Sequence, residues 1–155
     1  MPESSSELRE KWSAFDALDG REVHDLLKLR QDVFVVEQDC AFGEIDGKDP
    51  QALHCFLLSP SGEIAGALRL FSGSGPDRPS RIGRVVIAPA YRGRKLGQRL
   101  MRVGIAKARA LAPEAPIHLS AQAHLERFYA DFGFKTVSEI YLEDDIPHVD
   151  MVLAA

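Results

Sequence analysis

The segment 92–97 of this 155-residue chain reads Arg-Gly-Arg-Lys-Leu-Gly and directly precedes a stretch with helical periodicity. The N–H groups in the first turn of a helix have no partner within the helix, and the helix dipole makes that end positive. Gly93 and Gly97 would let the backbone approach a ligand closely because they have no Cβ, and the three cations add positive charge. The pattern therefore predicts an anion site at a helix start. The apolar strand before the loop favours a diphosphate-bearing cofactor whose remainder lies along that strand.

Two glycines near cations are a weak signal when taken alone, because a charged helix start with incidental glycines would have the same sequence. The loop also differs from two common phosphate-binding patterns. No Gly-Lys-Ser or Gly-Lys-Thr follows, as it does in a P-loop, and the dinucleotide pattern Gly-x-Gly-x-x-Gly does not occur here. The interpretation therefore depends on the elements that surround the loop.

The elements on both sides of this loop indicate a parallel strand pair joined by a helix. The apolar run 81–87 predicts a strand that is buried on both faces. The spacing of apolar residues from about 95 to 111 predicts a helix, which Pro113 and Pro116 end. The segment 117–120 then predicts a short strand, and a strand–helix–strand unit in one sheet is normally parallel.

The rest of the chain predicts further helices and mainly antiparallel strands. The turn sequence Pro60-Ser61-Gly62 joins two apolar runs and predicts a hairpin. The acidic segment 35–50 is interpreted as a loop or a broken helix, and 72–80 as a surface loop. The other predicted elements are a strand in 10–18, a helix over 21–34, hairpin strands over 53–59 and 63–71, a helix over 123–132 stopped by Gly133, and strands over 134–142 and 148–153. We therefore expect an α/β (α+β) fold with a mixed, mostly antiparallel sheet.

Composition and charge restrict the possible classes of protein. We expect one domain, 1–155, with residues 1–8 frayed. The net charge of −4 argues against a general nucleic-acid-binding role, and no apolar run has the length of a membrane span. Cys40 and Cys55 provide neither a disulfide framework nor a zinc ligand cluster, and no signal-peptide pattern opens the chain. We therefore expect a reduced, cytoplasmic protein without a metal.

Several motifs in this chain resemble the GNAT superfamily of acetyl-CoA-dependent N-acetyltransferases. The residues that carry this resemblance are Val85-Val86-Ile87, Pro89, Gly93, the run Gly97-Gln98-Arg99-Leu100-Met101, and the later aromatic group Phe128-Tyr129 with Phe132-Gly133-Phe134. Within that superfamily the chain is similar to the ElaA family in 33–38, 121–125 and 146–148. The resemblance covers most of the chain.

This resemblance implies a GNAT-type fold and acetyl-CoA as the cosubstrate. It implies that the pyrophosphate binds N–H groups of residues 94–98, and that the backbone of the strand pairs with the pantetheine arm like an added strand. Lys95 departs from the family pattern, which usually has a glycine at this position. The cofactor-binding residues expected from the resemblance are Val85, Val86, Ile87, Arg92, Gly93, Arg94, Lys95, Leu96, Gly97 and Gln98.

The resemblance also implies a catalytic role for Tyr129, whose hydroxyl would protonate the departing CoA thiolate after direct attack by an amine. The alternative is that Tyr129 is simply one of several aromatic residues on an apolar helix face. The family often has a glutamate near position 81 that serves as the base, but here the residue is Arg81. Other candidates for the base are Glu37, Glu44, Asp46, His124 and His148. We name His148 because the unperturbed pKa of histidine lies near neutrality.

Acidic residues in 37–49 and 143–145 could attract a cationic amine, although solvated loop charge explains them equally well. The residues that we expect to bind the acceptor are Glu37, Gln38, Asp46, Gln122 and His124. The expected function is transfer of the acetyl group of acetyl-CoA to a primary amine of a small molecule or peptide. A non-catalytic acyl-CoA-binding or protein-interaction module is the alternative. No nucleic-acid or membrane partner is expected, and the oligomeric state is left open.

Overall fold

The computed structural model describes residues 7–155, so most of the N-terminal segment that we expected to be frayed lies outside the described residues. Leu8 contradicts that expectation. Its side chain is buried, and its carbonyl accepts a hydrogen bond of 2.8 Å from Nη2 of Arg99. The ordered domain therefore begins before the first strand.

Within residues 7–155 the chain forms one eight-stranded mixed sheet flanked by helices, as expected for an α/β (α+β) fold. The strands run in the order β1-β2-β3-β4-β5-β8-β6, and β7 also pairs with β8. The strands are β1 Arg9–Ala14, β2 Leu53–Leu58, β3 Ile64–Phe71, β4 Ser80–Ile87, β5 Ile117–Gln122, β6 Lys135–Thr136, β7 Tyr141–Glu143 and β8 Ile146–Leu153. The helices are α1 Gly20–Arg30, which continues as a π-helix over Gln31–Glu37, α2 Leu96–Leu111 and α3 Glu126–Ala130. No helix in this part of the chain is long and apolar enough to cross a membrane.

Helix α1 begins at a capping box. The Asp19 carboxylate accepts from the backbone N–H of Glu22 at 2.8 Å, and the Glu22 carboxylate accepts from the N–H of Asp19 at 3.1 Å. Such caps stabilise a helix start by about 1 kcal/mol. We predicted that this helix ends near Phe34, but it continues as a π-helix. The N–H groups of Gln38 and Cys40 donate to carbonyls five residues earlier, at 3.2 and 2.9 Å.

Each face of the sheet packs against a different helix. On one face, Leu26 and Val33 cover Phe56, Ala67 and Val86. On the other face, α2 covers β2, β3 and β4 with apolar side chains spaced three and four residues apart, and these are Leu96, Leu100, Met101, Ile105 and Ala108. Cys55 lies in this second core, where burial raises the pKa of its thiol to about 12.

Two predictions near the C-terminus were wrong in extent. The expected strand 134–142 is two short pieces, because Asp150 N–H donates to Ser138 Oγ at 2.8 Å instead of to a backbone carbonyl. The expected helix 123–132 is α-helical only over Glu126–Ala130 and begins with a 3-10 turn. Gly133 does end this segment as predicted, with a φ of +99°.

Candidate functional site

The predicted parallel pair of strands is present but short. Ser80 lies opposite Ile117 and Arg81 opposite His118, and beyond these two positions β4 and β5 separate. The edge of β5 that faces away from β4 pairs with β8 over its whole length. The separation therefore leaves an open crevice between 82–87 of β4 and 119–122 of β5. Backbone groups on the β4 side of this crevice have no strand partner in the described part of the chain.

A β-bulge lies at the point where the two strands separate. Ala67 of β3 faces Val86, whereas Arg69 faces Gly83, so one residue of β3 lies opposite both Arg84 and Val85. Arg84 adopts a φ of +49°, which is uncommon for a residue with a Cβ. Bulges bend a strand and redirect its backbone groups. The bulge thus determines how Val85 and its neighbours face the crevice.

The end of β4 leads to a cavity of about 350 Å³ at the first turn of α2. It is lined by Ile87, Tyr91, Arg92, Gly93, Lys95, Leu96, Gly97 and Gln98. No side chain caps this helix start among the described residues. Its first N–H groups are therefore available to an anion, which the dipole and the cations would also attract. The structure brings together the loop residues that the sequence assigned to a pyrophosphate, although binding itself stays a prediction.

Lys95 precedes α2 in the left-handed conformation, with φ +58° and ψ 30°. Glycine is the residue that adopts this conformation without a steric cost. Lys95 therefore differs from the usual glycine of the family pattern only in having a side chain. Its backbone conformation is one that glycine commonly adopts. The loop keeps its path and gains a cation.

We predict that replacing Lys95 with Val destabilises the protein by about 1–2 kcal/mol, because a β-branched side chain tolerates the left-handed conformation poorly. Replacing it with Gly should change the free energy of unfolding by less than about 1 kcal/mol, since relief of the steric cost and the greater entropy of the unfolded chain oppose each other. Urea unfolding of both variants checks this. Equal stability of the two variants would contradict it.

Two of the three loop cations, Arg92 and Arg94, already have partners in the protein. Arg92 Nη1 lies 2.8 Å from Oε1 of Glu37, at the end of the π-helix, and both side chains are 44% exposed. Arg94 stacks on Tyr91 with its guanidinium carbon 5.3 Å from the ring centroid. Sequence reasoning did not assign Tyr91 to the site, although an aromatic between Pro89 and the cations was a usable signal. Its ring is buried, and the guanidinium of Arg94 packs over it.

Tyr129 is on α3 and is 9% exposed. Its ring packs against Phe128 and Phe134, with centroids 5.0 and 6.3 Å away. Burial raises the pKa of Tyr129 to about 12, so the phenol keeps its proton at neutral pH and can donate it. A Cβ added at Gly97 would lie 3.4 Å from Cζ of Phe128, so α3 packs closely against the start of α2. The candidate acid is thus on an element that contacts the first turn of α2.

His148 is buried on β8, opposite Gln122 of β5. Its Nδ1 lies 2.7 Å from the carbonyl oxygen of Ile146. Because a carbonyl only accepts, Nδ1 must carry a hydrogen. Nε2 lies 3.4 Å from Oε2 of Glu143, a contact that is an ion pair only when the imidazole is protonated. The predicted role of His148 as a base stays a prediction.

The segment 37–40 contains Glu37 and Gln38, two of the residues predicted to bind the acceptor, and it contacts the end of β5. The side-chain amides of Gln38 and Gln122 are 3.4 Å apart, which connects this segment to the end of β5. Cys40 Sγ lies 3.5 Å from the carbonyl oxygen of Asp144 in the β7–β8 turn. His124 is exposed in the 3-10 turn after β5. The predicted acceptor residues other than Asp46 thus belong to the segments around the open end of the crevice.

Acidic residues of the segment 44–49 are paired with arginines from other elements. Asp49 oxygens lie 2.9 Å from Nη1 of Arg30 and 3.1 Å from Nη1 of Arg69. Glu44 Oε2 lies 2.8 Å from Nε of Arg30 and 2.7 Å from Nε of Arg84. Sequence reasoning named both acids but not their partners, because the arginines are 14 to 40 residues away in the chain.

Asp46 belongs to the same network. It accepts two hydrogen bonds of 2.9 Å from Arg69 and lies 3.4 Å from Arg84. Burial alone would raise its pKa, but hydrogen bonds from Arg69 and from the backbone of Lys48, together with the arginine charges, hold the pKa of Asp46 well below its usual range. The carboxylate is therefore ionised, and its charge is balanced by Arg69 and Arg84. The geometry does not favour the predicted contact of Asp46 with an amine.

Comparison with known proteins is consistent with this geometry. The family described as acetyltransferase (GNAT) domain matches residues 29–155. Protein ElaA of Escherichia coli is 40% identical over 131 residues, which are 84% of this chain and 86% of ElaA. Its crystal structure superimposes with a TM-score of 0.85 at 36% identity, covering 94% of this chain and 99% of that chain.

Two other solved structures share the fold. An acyl-CoA N-acyltransferase from Pseudomonas aeruginosa has a TM-score of 0.88 at 40% identity, with 95% of this chain and 99% of that chain covered. An aminoglycoside 6'-N-acetyltransferase complexed with coenzyme A has a TM-score of 0.68 at 15% identity, with 93% and 96% covered, and so shows the fold alone. The GNAT fold and the similarity to ElaA are thus confirmed. The family match spans most of the chain and the relatives align along most of their length, so this chain belongs to the GNAT family of acyl-CoA-dependent N-acyltransferases.

Proposed function

We propose that this protein transfers the acetyl group of acetyl-CoA to a primary amine by direct attack of the amine on the thioester. The observation that carries this proposal is the continuity of the site. The crevice between β4 and β5 leads directly into the cationic cavity at the start of α2. One extended cofactor with a diphosphate at one end and a thioester at the other would occupy both.

The chain's own groups would bind the cofactor in two ways. The N–H groups of residues 94–98 and the cations Arg92 and Lys95 would hold the pyrophosphate. Those backbone groups of Val85, Val86 and Ile87 that face the crevice and not β3 would pair with the pantetheine amides as an added strand does. A backbone N–H of the same segment would polarise the thioester carbonyl and stabilise the oxyanion.

The proton transfers follow from the two titratable candidates. The amine nitrogen attacks the carbonyl carbon, the C–S bond breaks, and the thiolate leaves with the electron pair. Tyr129 would donate its proton to that sulfur and regain one from solvent. Nε2 of His148, directly or through water, would accept the proton that the amine must lose. Glu37, Gln38, Gln122 and His124, at the open end of the crevice, would contact the acceptor.

A binding and turnover experiment tests this proposal. Titration calorimetry with acetyl-CoA and longer acyl-CoA thioesters measures which acyl group is preferred, and thiol release against a panel of primary amines measures transfer. We expect binding of acetyl-CoA and amine-dependent release of CoA. Binding without release on any amine would refute the catalytic proposal.

That second outcome describes the alternative function, a non-catalytic acyl-CoA-binding module. One observation favours it, because Arg81 occupies the position where related enzymes often have a catalytic glutamate, and its side chain is exposed. The two functions differ in a single readout. Both predict acyl-CoA binding, and only the enzyme predicts that an amine shortens the lifetime of the thioester.

We predict that replacing Glu37 with Gln strengthens CoA binding about two- to five-fold. In the free protein Glu37 competes with an incoming pyrophosphate for Arg92, and exposed ion pairs of this kind have small energies. Calorimetry at low and high salt checks the change, which salt should reduce. Glu114→Gln is the matched control, since Glu114 is exposed beyond the opposite end of α2. Weaker binding by Glu37→Gln would contradict the prediction.

A further inference from the structure

Arg84 has an unusual backbone conformation, and its side chain forms ion pairs with two acidic residues. It is in the β4 bulge with a φ of +49°, a conformation that a residue with a Cβ adopts at a steric cost. Glycine is the common solution in such a position, and the preceding residue is in fact Gly83. An arginine therefore occupies a position whose positive φ is unfavourable for a residue with a Cβ.

The side chain of Arg84 supplies contacts that offset this cost. Its Nε lies 2.7 Å from Oε2 of Glu44, and its Nη2 lies 3.3 Å from the carbonyl oxygen of the same residue. Nη2 also lies 3.4 Å from Oδ2 of Asp46. The side chain is 29% exposed, so these charged contacts are partly shielded from water.

The acidic partners are themselves held in place from the other side. Glu44 accepts from Arg30, which is 1% exposed on α1, and Asp46 accepts from Arg69, which is 6% exposed on β3. Asp49 connects these two arginines. The acidic partners of Arg84 are thus fixed by buried arginines, and they in turn fix the position of the Arg84 side chain.

We propose that Arg84 is a positioning residue, whose ion pairs with Glu44 and Asp46 hold the β4 bulge in the conformation that directs the backbone of Val85 and Val86 into the crevice. This inference rests on the proposed use of that backbone to bind and polarise acyl-CoA. Arg84 touches neither substrate nor cofactor in this role. It acts by fixing the path of the main chain, three residues beyond Arg81, the last residue of β4 that pairs with β5.

A simpler role for the same contacts would be to fasten the segment 44–49 to the sheet. The two roles differ in what they predict for the backbone. If the ion pairs only fasten the segment, a residue of similar length should replace Arg84 better than glycine does. If they hold the bulge, glycine should be the better replacement, because it adopts a positive φ without help.

The experiment compares Arg84→Met with Arg84→Gly. For Arg84→Met, which keeps the Cβ and loses the charge, we expect kcat with acetyl-CoA to fall about 10- to 100-fold, because misplacement by about 1 Å costs rates of that order. Affinity for CoA should fall less than kcat does, because the α2 loop would still hold the pyrophosphate. Arg84→Gly should keep at least about one fifth of the wild-type kcat. Arg78→Met, an exposed arginine in the loop before β4, serves as the control and should be unchanged.

A second readout does not depend on turnover. The backbone ¹⁵N and ¹H chemical shifts of Val85 and Val86 in the free protein should move in Arg84→Met and stay close to wild type in Arg84→Gly. Equal or better performance by Arg84→Met in both readouts would overturn the proposal. If no amine accepts an acyl group from the wild type, the proposed function fails, whereas the chemical shifts still decide the role of Arg84.

Discussion

Replacing Tyr129 with Phe is expected to lower kcat by about 100- to 10,000-fold, the contribution that a positioned general acid typically makes. The substitution removes only the hydroxyl and leaves the ring between Phe128 and Phe134. Affinity for CoA should therefore stay within about threefold of wild type. Parallel measurement of turnover and of binding separates the two effects.

The pH dependence sharpens this prediction. Burial raises the pKa of Tyr129 to about 12, so the phenol is protonated and competent across the neutral and moderately alkaline range. Its ionisation should not reduce the wild-type rate between about pH 7 and pH 10, since both values lie well below the shifted pKa. Tyr141→Phe is the matched control for the loss of a phenol hydroxyl, because the Tyr141 hydroxyl bonds to Asp150 and Ser120. Undiminished turnover of Tyr129→Phe across this range would remove the assignment.

Replacing Asp49 with Ala is expected to lower the free energy of unfolding by about 3–5 kcal/mol, the usual cost of removing one partner from a buried ion pair. Asp49 is 4% exposed and accepts hydrogen bonds from Arg30 and Arg69, which are themselves buried. The substitution leaves two guanidinium groups close together without the carboxylate that separates them. Urea unfolding measures the loss. A cost below about 1 kcal/mol would show that the network does not stabilise the fold.

The same network predicts how stability depends on pH. Burial alone would raise the pKa of Asp49, but the hydrogen bonds and charges of Arg30 and Arg69 lower it overall. A carboxyl with a lowered folded-state pKa contributes its full stability above its unfolded-state value of about 3.9, and loses it as the pH falls through the folded-state value. Wild type and Asp49→Ala should therefore differ most above about pH 4 and converge in stronger acid. Asp32→Ala, which breaks an exposed pair with Lys28, should change stability little at any pH.

Local sequence signals predicted the elements that position the site. The hairpin over β2 and β3 follows from two apolar runs around a turn, and the parallel unit follows from a buried strand, an amphipathic helix and a second strand. Successive signals are separated by fewer than ten residues along the chain, so a single sequence contains them. The loop that lines the cavity at the start of α2 could be located for the same reason, because its glycines and cations lie within six residues.

Features that depend on distant contacts could not be predicted in this way. Nothing local to Glu44 indicates that Arg84 lies opposite it, 40 residues later. The π-helical continuation of α1 was missed because its apolar spacing resembles that of an ordinary helix end. Within the strand predicted over 134–142, the Ser138 hydroxyl accepts from the N–H of Asp150, where a regular ladder would have a backbone carbonyl. The Glu44–Arg84 pair and the Ser138 contact join residues 12 to 40 positions apart, so no local pattern contains them.

The contrast between the two cysteines has a practical consequence for measurement. Cys55 is fully enclosed in the core and its thiol pKa is raised to about 12, so it will not react with alkylating reagents while the protein is folded. Cys40 is partly exposed beside the β7–β8 turn, at the open end of the crevice. The natural sequence therefore provides one selective attachment point for an environment-sensitive fluorophore. If the acceptor binds as proposed, a dye at this position would report its binding without any substitution in the chain.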